Sequence, residues 1–210
     1  SSMNAALKTG KNLLFTPGIY HLDSPVVITN PNTIVLGIGL PSLVPDNGTP
    51  ALVCHDKDGI IIAGVVFDAA PKESPVLLQI REEGSSGDHS QNPIFLFDVF
   101  CRVGTSTGGN TKSCVIIGSN HVVGDHFWLW RADHGPSATG GKPGWDCDKS
   151  ANGLIVNGHD VTIYGLFNEH FQEYQTLWNG NGGRVFMYQS ETPYDPPHQD
   201  AWKHDGINGY

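Results

Sequence analysis

Two glutamates, Glu169 and Glu191, stand in a stretch that is rich in aromatic and amide side chains: NEHFQEYQTLWNGNGGRVFMYQSETPYD, residues 168–195. They are separated by 191 − 169 = 22 residues, a length that suits one coil of a solenoid. Residues one coil apart stack at about the inter-strand spacing of 4.8 Å. Two carboxylates that close cannot both ionise freely, so we expect one pKa to rise. The pair would then be a proton donor and a base, as glycoside hydrolysis requires.

Short apolar runs recur along the chain and predict the scaffold for this pair. Examples are NTIVLGIGL, DGIIIAGVVFDA and ANGLIVNGHDVTIYGLFNEHF, each bounded by Gly, Asn, Asp or Pro. Such runs indicate strands, and no amphipathic helix of ten or more residues separates them. We therefore predict an all-β fold, a right-handed parallel β-helix (a single-stranded solenoid), with Asn120, Asn157 and Asn168 at its corners. The alternative is an antiparallel β-sandwich, whose hairpin turns the Asn-Gly pairs would suit.

Side chains around the two glutamates have the types that bind a sugar. Aromatic rings offer flat platforms for sugar faces, and amides offer partners for hydroxyl groups. The candidate substrate-binding residues in this stretch are Tyr174, Gln175, Trp178, Asn179, Tyr188 and Tyr194. Upstream, Asp133, His134 and Trp145 form a second cluster, which is either part of a cleft or plain loop structure. The Gly-rich segments 104–109 and 134–150 are predicted to be loops that project from one rim and build the site.

The balance of charge restricts the partners. The 210 residues carry 12 basic against 21 acidic side chains, a formal net charge of −9. Such a charge repels phosphate backbones and anionic lipid, so nucleic acid and membrane surfaces are poor partners. No stretch approaches the roughly 20 apolar residues of a membrane span. An uncharged polysaccharide fits this composition better.

The sequence predicts neither a metal site nor a cofactor. His159 and His170 lie at no spacing that is typical of metal ligands. The segment GTSTGGNTKS lacks the GKS or GKT ending of a phosphate-binding loop. The cysteines have no CxxC spacing, and they form either one or two disulfides or buried free thiols. These cysteines are Cys54, Cys101, Cys114 and Cys147.

Three segments resemble glycoside hydrolase family 55, the exo-acting β-1,3-glucanases. They are WRADHG, NGLIVNGHDVTIYGLFNEHFQEYQTLWNGNGG and YQSETPYD. The resemblance covers roughly residues 10–210 and is most specific between Trp128 and Asp195. It implies a protein with two right-handed β-helix domains in one polypeptide, a catalytic cleft between them, and inversion at the anomeric carbon.

The resemblance also implies roles for the two glutamates. Glu191 looks like the general acid that protonates the glycosidic oxygen, and Glu169 looks like a residue that helps to position the attacking water. The chain resembles only the second β-helix of the family, so we expect residues 1–210 to form one domain that packs against another β-helix. The first ten residues, SSMNAALKTG, lack the basic and apolar regions of a signal peptide, so we expect this piece to begin partway through a longer, secreted enzyme.

Two other functions remain open for the same fold. One is a polysaccharide lyase or epimerase, which abstracts a proton beside a uronic carboxylate and needs Lys or Arg to neutralise that group. The other is a non-catalytic carbohydrate-binding β-helix, in which the glutamates are incidental.

The stacking of the two glutamates is narrower than the resemblance implies. Inverting enzymes separate their carboxyl groups by about 6.5 to 9.5 Å, which is wider than one inter-strand step.

Overall fold

The computed structural model describes residues 2–81, 87–104, 108–134 and 144–209. The predicted loops 104–109 and 134–150 therefore fall in part outside the described residues. In chain order the elements are α1 (Ser2–Lys8), β1 (Leu13–Phe15), β2 (Ile19–Leu22), β3 (Val26–Ile28), β4 (Ile34–Gly37), β5 (Ser42–Pro45), β6 (Leu52–Cys54), β7 (Ile61–Asp68), β8 (Leu78–Ile80), β9 (Ile94–Val103), β10 (Ser113–Ile117), β11 (Val122–Arg131), β12 (Asn152–Val156), β13 (Thr162–Glu169), β14 (Tyr174–Trp178), β15 (Arg184–Glu191), a short 3-10 helix (Gln199–Ala201), β16 (Lys203–His204) and β17 (Ile207–Asn208).

Two parallel sheets face each other across one core. Sheet A contains β1, β2, β4, β5, β7, β9, β11, β13 and β15, and sheet B contains β3, β6, β8, β10, β12 and β14. From β6 onward the chain alternates between the two sheets and adds one strand to each per coil. The predicted parallel β-helix is confirmed. The sandwich is excluded because, among the described residues, only the small β16–β17 pair is antiparallel.

Apolar side chains stack in columns between the sheets. One column contains Val65, Val99, Phe127, Leu166 and Tyr188, each beside the next in neighbouring strands of sheet A. The first four of these side chains are fully buried. Stacking of this kind removes apolar surface from water in every coil, and each buried side chain contributes roughly 1.5–3 kcal/mol.

A second column, of residues with left-handed backbone, bends every long strand of sheet A. Its members are Gly64, Asp98, His126, Gly165 and Met187, with φ between 49° and 68°. The strand registers skip these positions, so that two outward residues stand between consecutive inward ones. Glycine, aspartate and histidine tolerate this conformation better than most residues. The bend divides each long strand of sheet A into an N-terminal and a C-terminal half, and the two glutamates lie in the C-terminal halves of their strands.

Side-chain amides hold the corners between the sheets. The sequence predicts three corner asparagines, and two of them lie at corners. Asn120 accepts a hydrogen bond from the backbone N–H of His159 (2.9 Å), and Asn157 accepts one from Asn179 (2.8 Å). The prediction for Asn168 is wrong. This residue lies within β13 with its side chain fully buried, because strand alternation turns it toward the core.

The two ends of the core differ. At one end α1 covers the first coils: Leu7 is buried, and the side chain of Asn4 bonds the backbone of Pro25 and Val27 (2.8 and 2.9 Å). In the last coil, the core-facing Tyr188 is 49% exposed.

All four cysteines are free thiols, and three of them are buried. Among the described residues, no helix is long and apolar enough to span a bilayer.

Away from the two glutamates, a buried histidine links residues of three coils. His89 is 2% exposed, and its ring nitrogens lie 2.7 Å from Asp56 and 2.6 Å from Asp58. Asp56 also accepts hydrogen bonds from Ser119 and from the backbone N–H of Gly87. Burial alone lowers the pKa of His89, but the bonds to the two carboxylates outweigh burial, and the pKa is raised above its ordinary 6.5.

We expect this cluster to stabilise the fold most at low pH. Because the folded pKa of His89 lies above the unfolded value, its contribution is complete below about pH 6.5 and is lost as pH rises through the folded pKa. His89→Gln should lower the free energy of unfolding at pH 6 by roughly 3 kcal/mol and by less at pH 9, measured by urea titration. His21→Asn, which alters an exposed His–Asp pair, is the control. Equal losses for His89→Gln at both pH values would contradict the prediction.

Candidate active site

Glu169 and Glu191 lie side by side on the outer face of sheet A. The strands β13 and β15 pair in parallel with Glu169 directly beside Glu191. The register predicted from the 22-residue separation is therefore confirmed. Because Leu166 and Asn168 face the core, strand alternation sends both glutamates outward.

The same outward column continues through three earlier coils. In register before Glu169 come Trp130, Arg102 and Asp68. Arg102 forms a bidentate ion pair with Asp68 (2.6 and 2.5 Å), which raises the pKa of the guanidinium. The outer face thus has an ion pair at one end, an indole in the middle and two carboxyl groups at the other end.

A groove runs along this face beside the column. Trp128 and Trp130 project from the same strand, and their rings lie 6.0 Å apart and nearly parallel. They border a cavity of about 490 Å³. Its other lining residues include Val66, Phe100, Arg102 and His126. An aromatic floor of this size can hold sugar rings.

Glu169 is the more enclosed of the two acids. It is only 9% exposed, and the indole Nε1–H of Trp128 donates to its Oε2 at 3.0 Å. Trp128 belongs to the preceding coil, so the carboxyl group is held from that side. The sequence analysis did not assign a role to Trp128, although the alternating pattern FWLW (residues 127–130) places its two tryptophans on one face of a strand.

Glu191 is held by its own coil and by the turn that follows. Its side chain is 40% exposed. Gln189 donates to Oε1 at 3.1 Å, and the hydroxyl of Tyr194 donates to Oε2. The ring nitrogen Nε2 of His170 lies 3.8 Å from Oε2.

The expected rise in a carboxyl pKa is wrong for Glu191. The hydrogen bond from Tyr194 is the main reason that the pKa of Glu191 falls below its ordinary 4.5, and His170 and Gln189 act in the same direction. The same bond raises the pKa of Tyr194. Donors that stabilise the carboxylate therefore outweigh the repulsion expected from a neighbouring acid.

A buried polar network supports Glu191 from behind. Asp133 is 4% exposed and accepts hydrogen bonds from Nδ1 of His134 (2.6 Å) and from the backbone N–H of Tyr194 (2.6 Å). Nδ1 of His170 lies 3.5 Å from Asp133 and bonds the carbonyl oxygen of Thr192 at 2.9 Å. Asp133 and the two histidines are close enough to hold a metal ion, and the Nδ1 atoms of both histidines are hydrogen-bonded to protein oxygens. We interpret the cluster as a hydrogen-bond network.

Arg131 anchors this network, and the sequence analysis missed it. Its guanidinium is fully buried and forms a bidentate ion pair with Asp195 (3.0 and 2.8 Å). It also donates to the carbonyl oxygens of Asp148, Cys147 and His170. A signal was present in WRADHG, because an arginine at the end of a buried strand needs a carboxylate partner.

Three of the predicted substrate-binding residues lie at the acid pair. Asp133, His134 and Tyr194 form the network described above, and the rings of His134 and Tyr194 lie 5.4 Å apart. Trp145 is elsewhere: its ring packs against Arg131 and Trp202. Trp145 therefore supports the anchor and not the groove.

The other predicted binding residues are not brought to the acids. Gln175 uses both ends of its amide to bond the backbone of Phe171 (2.9 Å each). Asn179 belongs to a corner ladder, and Trp178 packs against the core from sheet B. Tyr188 faces the core side of β15, with its hydroxyl 3.2 Å from Thr176.

Tyr174 also lies on sheet B, where it borders a separate cavity of about 300 Å³ together with Trp202 and Asp205. The predictions for Tyr174, Gln175, Trp178, Asn179 and Tyr188 assumed that nearness in sequence meant nearness to the acids. The chain instead leaves sheet A directly after Glu169 and crosses to sheet B, which carries the first four away, whereas Tyr188 lies on β15 of sheet A and faces the core.

This fold and this site define a class: a parallel β-helix protein with paired acids at the end of an aromatic groove on one outer face. The chain belongs to the LAM55 pectate lyase-like domain family, whose match covers residues 1–191.

The chain is similar to a curated protein and to solved structures. The chain is 43% identical over 209 residues to an exo-beta-1,3-glucanase of Streptomyces sp. (strain SirexAA-E / ActE), a match that covers all of this chain and 34% of that protein. It is similar to the structure of sacteLam55A from Streptomyces sp. SirexAA-E, with a TM-score of 0.94, 42% identity, and coverage of all of this chain and 37% of that one. A further solved structure is a glutamate-to-alanine variant of sacteLam55A in complex with glucose, with the same scores. The chain thus spans about a third of the length of these relatives.

The hydrogen bond from Tyr194 gives a direct test of the electrostatics at Glu191. Tyr194→Phe removes the donor, so the pKa of Glu191 should rise toward 4.5, measured by NMR titration of the ¹³C-labelled carboxyl group. Tyr20→Phe is the matched control, because its hydroxyl bonds Thr16 in the first coils. A Glu191 midpoint that stays unchanged or falls in Tyr194→Phe would contradict the assignment.

Proposed function

We propose that this chain is the acid-bearing β-helix of a secreted exo-β-1,3-glucan hydrolase that works with inversion. The observation that supports this most is the in-register pair of Glu169 and Glu191, in different environments, at the end of an aromatic groove. The relative named exo-beta-1,3-glucanase supplies the substrate class. A polymeric glucan is an extracellular substrate, which supports secretion.

In the proposed mechanism Glu191 gives its proton to the glycosidic oxygen, and Glu169 holds and polarises the attacking water. The carboxyl group of Glu191 is partly exposed and lies on the same outer face of sheet A as the groove, where a substrate could reach it. The enclosed Glu169 is held at Oε2 by Trp128, and no described residue bonds its Oε1, the oxygen that we assign to the water. Displacement in a single step inverts the anomeric carbon.

Inversion needs a carboxyl separation of about 6.5 to 9.5 Å, wider than the roughly 4.8 Å between neighbouring strands. The two acids have different donors: Trp128 of the preceding coil bonds Glu169, and Tyr194 of the following turn bonds Glu191. We propose that their side chains diverge when substrate binds, which makes room for a water and a sugar between them.

Glu191 must carry a proton when the glucan arrives, and in this chain its pKa is lowered. We propose that bound substrate and the rest of the polypeptide remove water from the carboxyl group, which disfavours its charged form and raises its pKa. The need for such a cover agrees with the cleft between two domains that the family resemblance implies.

The outer face of sheet A is suited to another part of the same protein. Leu14, Leu36, Ile38 and Leu40 are each at least 40% exposed there, and farther along the sheet Tyr164 and Phe186 stack at 5.0 Å. Exposed apolar side chains grouped in this way are typical of an interface. We propose that a second β-helix of the full-length protein covers part of it, as the relatives' greater length allows.

The lyase alternative finds less support in the site. A lyase needs a cation free to neutralise a uronic carboxylate. Arg102 is paired with Asp68, and Arg131 is buried and paired with Asp195. Both guanidinium groups near the groove are therefore already neutralised by the protein.

Replacing the proposed acid should abolish hydrolysis without abolishing binding. Glu191→Gln in the full-length protein removes the proton donor, and we expect kcat on laminarin-type glucan to fall by about 10³-fold, with glucan affinity kept. Glu173→Gln, at the exposed corner after β13, is the matched control and should keep wild-type kcat. A wild-type protein that binds glucan without cleaving it would instead indicate the carbohydrate-binding alternative.

The products of the wild-type protein test the stereochemistry. We expect glucose released first as the α anomer, seen by ¹H NMR before mutarotation. Initial β-glucose would refute inversion, release of long oligosaccharides would refute exo action, and unsaturated sugar ends would identify a lyase.

A further inference from the structure

His170 lies between the buried network and Glu191, and the mechanism above gives it no role. Its imidazole is almost fully buried. Nδ1 bonds the carbonyl oxygen of Thr192, which can only accept, so Nδ1 carries a hydrogen. The opposite nitrogen, Nε2, points at Glu191, 3.8 Å from its Oε2.

The backbone of His170 is unusual in a way that the solenoid does not explain. Its φ is 69°, in the left-handed region that only a few per cent of residues other than glycine adopt, although asparagine, aspartate and histidine are enriched there. The equivalent positions in the neighbouring coils are Arg131 and Thr192, both described by the structure, and neither has positive φ. The left-handed bend of sheet A, in contrast, repeats in coil after coil. The conformation of His170 is therefore local to the acid pair, as strained residues at functional sites are.

Main-chain bonds hold His170 in this conformation. Its N–H donates to the carbonyl oxygen of Glu191 at 2.9 Å, and its carbonyl oxygen accepts from Arg131 at 3.3 Å. With Nδ1 also bonded, Nε2 is the ring nitrogen to which the described residues make no hydrogen bond. The 3.8 Å gap to Glu191 is about 1 Å longer than a charge-assisted hydrogen bond, and a small rotation of the partly exposed carboxyl group closes it.

We propose that Nε2 of His170 shares a proton with Glu191 and returns a proton to it after each bond cleavage. The inference rests on the proposed function, and His170 acts through Glu191 and is not expected to touch the sugar. It identifies a positioning and proton-supplying residue in addition to the two glutamates.

The protons balance in this scheme. Glu191 gives its proton to the leaving oxygen as the bond from C1 breaks, and the attacking water releases one proton to solvent as its oxygen bonds C1. Glu191, now a carboxylate, takes the proton from Nε2 of His170. The neutral imidazole keeps its Nδ1 hydrogen and regains a proton at Nε2 from solvent.

The charges around the ring support such an exchange. The carboxylate of Asp133 lies 3.5 Å from Nδ1. The exposed ring of His134, 5.3 Å from that of His170, marks the side that reaches solvent. The titratable or charged groups that face or bond His170 are Asp133, His134, Glu191, Tyr194 and Arg131.

His170→Asn separates the function of Nε2 from that of Nδ1. Asparagine tolerates positive φ, and its amide can keep the bond to Thr192, but it has no group in the place of Nε2. In the full-length protein we expect kcat at pH 7 to fall roughly tenfold, KM to stay within about twofold, and the alkaline limb of the pH–kcat profile to move to lower pH. His21→Asn, in the first coils, is the control for loss of a histidine.

Two results would overturn the proposal: a wild-type pH profile in His170→Asn, or an equal fall in kcat at every pH, which is what a purely structural role predicts. A second readout does not depend on activity. With ¹⁵N-labelled histidine, the Nε2 midpoint of His170 should move to lower pH in Glu191→Gln, because a neighbouring negative charge is lost. An unchanged midpoint refutes proton sharing even if the wild-type protein hydrolyses glucan. A shifted midpoint with no hydrolysis would refute the proposed function and with it the return of a proton during turnover.

Discussion

Glu169 and Glu191 share one outer face only because β13 and β15 pair in parallel with one short coil between them. A slip of one residue would turn Glu191 toward the core and Ser190 outward, since side chains alternate along a strand. The same slip would move Tyr188 away from Leu166 and break the apolar column that fills the solenoid. The register that buries the core is therefore also the register that assembles the acid pair, and neither can change alone.

Within that register, the acids differ because their partners come from different coils. Glu169 receives a hydrogen bond from Trp128 of the preceding coil, and Glu191 receives one from Tyr194 in the turn that follows β15. The turn itself is fixed by Asp195, which is paired with the buried Arg131. A buried ion pair is costly to break from one side, so the position of Tyr194 beside Glu191 is firmly set. The geometry at the acid depends in this way on a cation that does not touch it.

The sequence was sufficient for the fold class and for the register of the two glutamates. Repeated short apolar runs indicate a solenoid, and the 22-residue coil contains no insertion, so the separation alone aligned Glu169 with Glu191. The direction of the other side chains was harder to predict, because one left-handed residue per strand changes the alternation of inward and outward positions. Tyr188, which directly follows Met187 at that bend, faces the core for this reason. The sequence predicted that one of the two carboxyl pKa values rises, whereas the pKa of Glu191 falls, because its donor, Tyr194, lies beyond the strand in a turn whose path depends on Arg131.

The most exposed of the three carboxyl groups of this site is the one whose pKa is lowered. Asp133 is buried and accepts two hydrogen bonds, Glu169 is enclosed and accepts one from Trp128, and Glu191 is the most exposed. If the nearness of Glu169 controlled the pKa of Glu191, that pKa would be raised. The donors to Glu191 instead stabilise its charged form, and they lower its pKa. A proton for Glu191 must then come from a group that can both hold it and release it, and the atom placed for this exchange is Nε2 of His170, directed at the acid by the bond that its other nitrogen makes to Thr192.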